Sequence, residues 1–239
     1  MAKKTAEKYQ KTLPACKIIM ESEIPLARGL GSSAAAIIAG IEMADLVGGL
    51  GLTKQQKLEL ATEMEGHPDN VGASLFGGLV VGCYQSDQVD LISFSTLSFE
   101  MVAMIPHETL LTKVSRQVLP DTFAYKEAVQ ASATSNLLIA ALLNENWTLA
   151  GKMMKLDLFH QPYRRSLIPF YQEIEEAAKS HGAFGVALSG AGPTVLCFTE
   201  KGNGENLARF LQQEFKEMTA KMVRIENNGS SVCKMEKVL

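Results

Sequence analysis

The sequence predicts a globular protein of mixed helices and strands in two halves. Helix-period and strand-period segments alternate along the chain, and its 239 residues suffice for one large domain or two small ones. With 46% hydrophobic and 21% charged residues, the chain can build a core without disulfides or structural metal.

Each element follows from local pattern. Residues 1–11 read as a helix without an N-terminal cap, ending before Leu13-Pro14. In residues 16–22, Ile18 and Met20 alternate with Lys17 and Glu21, which predicts a strand. A loop with two glycines, Pro25-Leu-Ala-Arg-Gly-Leu-Gly-Ser-Ser33, leads into a small-residue helix over 34–46, stopped at Gly48-Gly49. Thr53 with Gln56 forms a capping box for a helix running to about Glu65. Pro68 disfavours helix at His67, and a short segment through Phe76 follows. Residues 79–84, 89–94 and 99–105 read as strands.

The two halves divide near residue 98, giving domains over 1–98 and 99–239. Residues 111–119, 125–143, 148–155 and 168–180 read as helices. Strands over 184–188 and 194–198 flank the loop Ser189-Gly-Ala-Gly-Pro193. A helix over 205–218 places Leu207, Phe210, Leu211 and Phe215 on one face, and residues 220–226 form a last strand.

Composition narrows the function. Twenty-three Lys and Arg against 26 Asp and Glu give a net charge of −3, which argues against a nucleic-acid binder. Cys16, Cys83, Cys197 and Cys233 lack metal spacing, and Cys83 and Cys197 read as buried thiols in strands. Lone cysteines and the absence of a signal-peptide pattern predict a cytoplasmic protein. No apolar run reaches the roughly 20 residues of a membrane helix.

Three motifs carry chemistry. Residues 25–33 open into a helix whose free N–H groups and dipole suit an anion, with Gly29 and Gly31 permitting close backbone approach. Ser32 and Ser33 add hydroxyls, although the same residues would also make an ordinary serine-capped loop. In Glu65-Gly-His-Pro-Asp-Asn70 an acid near a phosphate loop suits Mg²⁺, while the plain alternative is a polar helix-ending turn. The loop glycines of 189–193 suit a ligand or a simple tight turn. Arg116 shares a helix face with Thr112, and Arg164 closes His160-Gln-Pro-Tyr-Arg164. Arginine forks suit carboxylates and phosphates, though each arginine alone is more often a solvated surface charge.

Together and in this order, the motifs resemble those of the GHMP kinases. Pro25–Ala36 is similar to their central phosphate motif, and Ala187-Leu-Ser-Gly-Ala-Gly-Pro-Thr194 to their C-terminal motif. The Glu65–Asn70 segment, Thr112-x-x-x-Arg116-x-x-Leu-Pro120 and His160–Arg164 resemble the homoserine kinases among them. The resemblance implies an α+β fold of two domains. The first, ATP-binding half would be like ribosomal protein S5 domain 2, and the second ferredoxin-like. It implies phosphoryl transfer from ATP to the side-chain hydroxyl of L-homoserine, a step toward threonine. Another small-alcohol kinase, such as a mevalonate kinase, and a non-catalytic ligand-binding protein of the same fold are the alternatives.

The same resemblance assigns residues. Pro25, Leu26, Ala27, Arg28, Gly29, Leu30, Gly31, Ser32, Ser33, Ala34 and Ala35 would surround ATP, supported by Gly190 and Gly192. Ser32 and Glu65 would hold Mg²⁺, with Glu63 the weaker candidate. His67, Asn70 and Thr112 would contact homoserine, and Arg116 and Arg164 would grip its carboxylate. Asp69 stands near the catalytic site, without an obvious general base in the chain. Neither nucleic acid nor membrane is implied as a partner, and a homodimer is compatible with the resemblance.

One departure stands out. The family's first motif, a proline–alanine–asparagine type stretch, does not precede residue 1, so the resemblance implies that N-terminal strands of the first sheet are missing. The 239-residue chain is therefore expected to be poorly soluble or inactive toward homoserine without them.

Overall fold

A computed structural model describes residues 1–233, and these form two compact units. One comprises Met1–Ile24, Gly31–Leu97 and the segment from Ile225 onward; the other comprises Pro25–Leu30 and Ser98–Arg224.

The first unit contains α1 (Ala2–Lys8), α2 (Ser32–Gly48), α3 (Lys54–Glu65) and α4 (Asp69–Phe76), followed by the antiparallel strands β1 (Leu79–Gln85) and β2 (Gln88–Phe94). Ala34, Ile38, Ile41 and Ala44 repeat at helical spacing, and this face of α2 is fully buried. Ala34, Ile38 and Ile41 pack with Leu58 and Ala61 of α3, Val71 and Leu75 of α4 and Val89 of β2. Thr53 caps α3 as its sequence predicts, accepting from the Gln56 N–H while the Gln56 side chain accepts from the Thr53 N–H.

A shielded ion cluster ties these helices together. Lys57 Nζ lies 2.7 Å from Glu42 Oε2 and 2.6 Å from Asp45 Oδ2, and the Ser230 hydroxyl donates to Glu42 Oε1 at 2.8 Å. Burial pushes the Asp45 carboxyl up, but hydrogen bonds from Lys57 and the Leu52 N–H outweigh it and hold the group below its ordinary value. Burial likewise pulls Lys57 down, and its two carboxylate partners more than reverse that.

The second unit is a β-α-β-β-α-β sandwich with additional helices. Its elements are β3 (Phe99–Pro106), α5 (Thr112–Gln117), α6 (Tyr125–Leu143), α7 (Trp147–Lys155), α8 (Gln161–Arg164), α9 (Tyr171–Ser180), β4 (Ala183–Leu188), β5 (Val195–Glu200), α10 (Gly204–Glu214) and β6 (Met218–Val223). The sheet order is β4-β5-β3-β6, with every pairing antiparallel. That is the ferredoxin-like order, and β3, lying inside the sheet, buries Val102, Ala103 and Met104 completely. Ile174 and Ala178 of α9 and Leu207 and Leu211 of α10 cover the sheet.

The structure corrects several expectations. Residues 16–22 form no strand: Ile18, Ile19 and Met20 are exposed and pair with no ladder, so alternation had no partner face to satisfy. Cys83 is exposed, because it lies on the face of the β1–β2 hairpin opposite Val89 and Leu91; Cys197 is buried as expected. The helix over 168–180 starts only at Tyr171, because Pro169 keeps Ile168 extended and Phe170 turns left-handed. The helix over 205–218 ends at Glu214, and the strand expected over 220–226 begins at Met218. Gln212 explains the early turn: its amide donates to the Met218 carbonyl and accepts from the Ala220 N–H, holding that segment extended.

Candidate active site

In the second unit, the segment Pro25–Leu30 lies against two loops. The Leu110 N–H donates to the Ala27 carbonyl at 3.2 Å, and the Thr194 N–H to the Arg28 carbonyl at 3.3 Å. The Ser189 hydroxyl donates to the Gly29 carbonyl at 2.8 Å. Gly29 has φ +75°, and a Cβ there would sit 2.3 Å from the Ser189 carbonyl oxygen and 2.7 Å from that of Gly192. Glycine is therefore required both by backbone conformation and by contact. The 189–194 loop closes on itself through Ser189 N–H to the Thr194 carbonyl and Gly192 N–H to the Ser189 carbonyl, each at 2.9 Å.

Arg164 stands beside this loop, buried with 7% exposure. Its Nε donates to the Ser115 carbonyl and its Nη1 to the Gly190 carbonyl, both at 3.2 Å. Burial first, and then the positive charge of Arg116, lower the Arg164 guanidinium from its ordinary value, against a smaller opposing influence of Asp157. Two neighbouring cations with this little solvent around one of them make a favourable place for an anion. Thr112 lies exposed in the first turn of α5, one turn before Arg116.

Three supporting residues of this unit escape sequence reasoning. Ser115 is fully buried, and its hydroxyl donates to the Ala191 carbonyl at 2.6 Å. Asp157 accepts from the N–H groups of Phe159, His160 and Gln161, fixing the start of α8 and so the place of Arg164. Gln161 reaches back to the Met154 carbonyl and accepts from the Tyr171 hydroxyl, whose pKa burial pushes up to about 12. Asp157 alone of the three carried a signal, an acid a few residues ahead of a helix start; nothing marked Ser115 or Gln161.

In the first unit, α2 opens at Ser32 with Gly31 as its cap, left-handed at φ +78° and without a side-chain cap bond. The N–H groups of the first turn are thus available to a ligand at the positive end of a 17-residue helix. Ser33 Oγ lies 3.4 Å from Glu65 Oε2, so a carboxylate stands at this helix start. Glu63, two residues earlier and on another face of α3, instead pairs with Lys8 Nζ at 2.6 Å. Asp69 accepts from the Asn70 N–H at 2.6 Å and faces His67 Nδ1 at 2.5 Å, so its carboxylate orients the histidine.

The hydroxyl placed beside Glu65 is that of Ser33, and oxygen donors of this kind are compatible in chemistry with a magnesium ion. Among the described residues no group of three or more His, Cys, Asp and Glu forms an all-protein metal cage. No helix is long and apolar enough to cross a membrane among the same residues.

The sequence matches the GHMP kinases N terminal domain over residues 1–78 and GHMP kinases C terminal over residues 138–217. It is 50% identical over 228 residues to homoserine kinase of Bacillus pumilus, covering 95% of this chain and 74% of that protein. It is 48% identical over 232 residues to homoserine kinase of Bacillus velezensis, covering 97% and 75%. Among solved structures, homoserine kinase from Cytophaga hutchinsonii superposes with a TM-score of 0.76 at 28% identity, covering 87% of this chain and 69% of that one. The chain belongs to the GHMP kinase family and, within it, to the homoserine kinases.

Proposed function

We propose that the chain transfers the terminal phosphoryl group of ATP to the side-chain hydroxyl of L-homoserine, giving O-phospho-L-homoserine for threonine synthesis. The observation that carries this reading is the buried Arg164 beside Arg116, held at the glycine loop by the carbonyls of Ser115 and Gly190. An amino-acid substrate presents a carboxylate that this pair can grip, which mevalonate would offer without the accompanying ammonium and galactose not at all.

The remaining roles follow from chemistry. The N–H groups from Gly29 to Ser33, at the start of α2, cradle the phosphates, with Gly190 and Gly192 supporting them. Ser32 and Glu65 hold Mg²⁺, which when bound neutralises charge on the phosphates. His67, oriented by Asp69, contacts homoserine together with Asn70 and Thr112. Asp69 already accepts two hydrogen bonds and so serves as a positioning group. Phosphoryl transfer rests mainly on positioning and charge neutralisation and requires no carboxylate base. Such chemistry involves neither nucleic acid nor a membrane and suits the cytoplasm.

The test is product identification. Incubation with ATP, Mg²⁺ and L-homoserine should yield a phosphomonoester of the amino acid by mass spectrometry. Recovery of unmodified homoserine, with ATP intact, both from this chain and from a version extended upstream to carry the family's first motif, would exclude the reading.

A further inference from the structure

Arg28 sits inside the phosphate loop, where a cation would ordinarily be assigned to the phosphates themselves. Its side chain is engaged otherwise. Nε donates to the Pro106 carbonyl at 2.9 Å, Nη1 to the Leu26 carbonyl at 3.0 Å, and Nη2 to the His107 carbonyl. All three guanidinium nitrogens therefore donate to backbone oxygens. One acceptor lies in the loop's own segment, and two lie where β3 runs out into the following turn. The backbone of Arg28 is fixed as well, its carbonyl accepting from the Thr194 N–H at 3.3 Å.

We infer that Arg28 is a positioning residue that clamps the loop segment Pro25–Leu30 onto the end of β3, shaping the phosphate cradle before nucleotide arrives. This rests on the proposed phosphotransfer for its consequence, but the clamp itself stands on the geometry. A planar fork can bridge three carbonyls spread over two chain segments. A lysine ammonium carries the same charge but lacks that fixed geometry. The residue thus acts through the loop rather than on the phosphate, and charge alone does not replace it. Pre-formed backbone donors bind a phosphate without first ordering the loop, so loss of the clamp appears in nucleotide affinity.

The test compares Arg28→Ala and Arg28→Lys with the wild type. Amide hydrogen exchange of peptides spanning residues 25–30, in nucleotide-free protein, should quicken about ten-fold or more in both variants while the β3–β5 ladder stays protected. In the same variants the KM for ATP should rise by about ten-fold, with kcat and the KM for homoserine changing far less. Millimolar guanidinium ion should restore part of the loss in Arg28→Ala by refilling the vacated carbonyls. Unchanged exchange in both variants would overturn the clamp. So would an Arg28→Lys enzyme with wild-type ATP affinity, because that outcome means the charge touches the phosphates directly. A wild-type chain that fails to bind ATP would count against the phosphotransfer reading alone, since the exchange measurement needs no nucleotide.

Discussion

Arg164 and Ser115 are joined through backbone: the Arg164 Nε donates to the Ser115 carbonyl at 3.2 Å, while the Ser115 hydroxyl donates to the Ala191 carbonyl at 2.6 Å. One buried serine therefore links α5, the glycine loop and the buried arginine. The arrangement gives the guanidinium a fixed direction, which a carboxylate receptor needs.

Replacing either partner should separate binding from stability. Arg164→Lys keeps the charge but loses the fork, so the KM for homoserine should rise by about ten-fold or more. Ser115→Ala leaves the arginine's backbone acceptor intact and strands the Ala191 carbonyl, costing about 1–2 kcal/mol of stability. Its homoserine KM should rise less than that of Arg164→Lys. Steady-state kinetics together with thermal melts would check both; equal KM values for all three proteins would return Arg164 to a structural role.

The two loop glycines should respond differently. A methyl group at Gly29 would collide with the Ser189 and Gly192 carbonyls, whereas at Gly31 nothing lies within 4 Å of the added carbon. Gly31→Ala should thus cost only the left-handed strain, about 1–2 kcal/mol. Gly29→Ala should cost more and displace the segment Pro25–Leu30. Gly31→Val, which adds a branched side chain to the same φ of +78°, should abolish ATP binding as measured by calorimetry.

Glu63 and Glu65 offer a matched pair. Glu65→Gln should lower turnover by about 10²-fold with little change in homoserine KM, because a metal-held charge matters most in the transition state. Glu63→Gln breaks only an exposed pair with Lys8, worth about 0–1 kcal/mol, and should leave turnover intact. Titrating Mg²⁺ in both variants distinguishes them: a turnover loss confined to Glu63→Gln would move the cation ligand to that residue.

The Lys57 cluster predicts a pH signature in stability. Asp45 titrates below its ordinary value in the folded protein, so its contribution is present above about pH 4 and is lost as pH falls through the folded value. Lys57 titrates above its ordinary value, so its contribution is present below about pH 10 and is lost as pH rises further. The cluster's own contribution should be flat between these limits. Lys57→Met leaves Glu42 and Asp45 shielded without their cation and should cost about 3–5 kcal/mol at pH 7. That penalty should shrink at acid pH, where the Asp45 carboxyl, pushed up by burial and no longer held down by Lys57, takes up a proton. Urea melts across pH would show a constant penalty if the cluster were merely a surface feature.

Much of this was legible in the sequence, and the exceptions have physical causes. Local signals held where they are self-contained: the Thr53–Gln56 capping box, the small-residue helix after Gly31, and the strands around the glycine loop. They failed where a distant partner decides. Residues 16–22 alternate like a strand but find no ladder, and Cys83 lies on the open face of its hairpin. Met218 continues a helical pattern until the Gln212 amide diverts the chain. The motif residues announced themselves by type, but what orients them did not. Ser115, Asp157 and the three carbonyls around Arg28 are common groups whose function exists only in their contacts.

The central claim is that this chain phosphorylates the hydroxyl of an amino acid it recognises by its carboxylate. The most direct measurement is kcat/KM in a coupled ADP-release assay with L-homoserine, mevalonate and galactose, run on the wild type and on Arg164→Lys. Turnover of L-homoserine should be at least about 10²-fold more efficient than of either competitor, with that preference reduced in the lysine variant. Preferred turnover of mevalonate or galactose, or a homoserine preference untouched by Arg164→Lys, would contradict it.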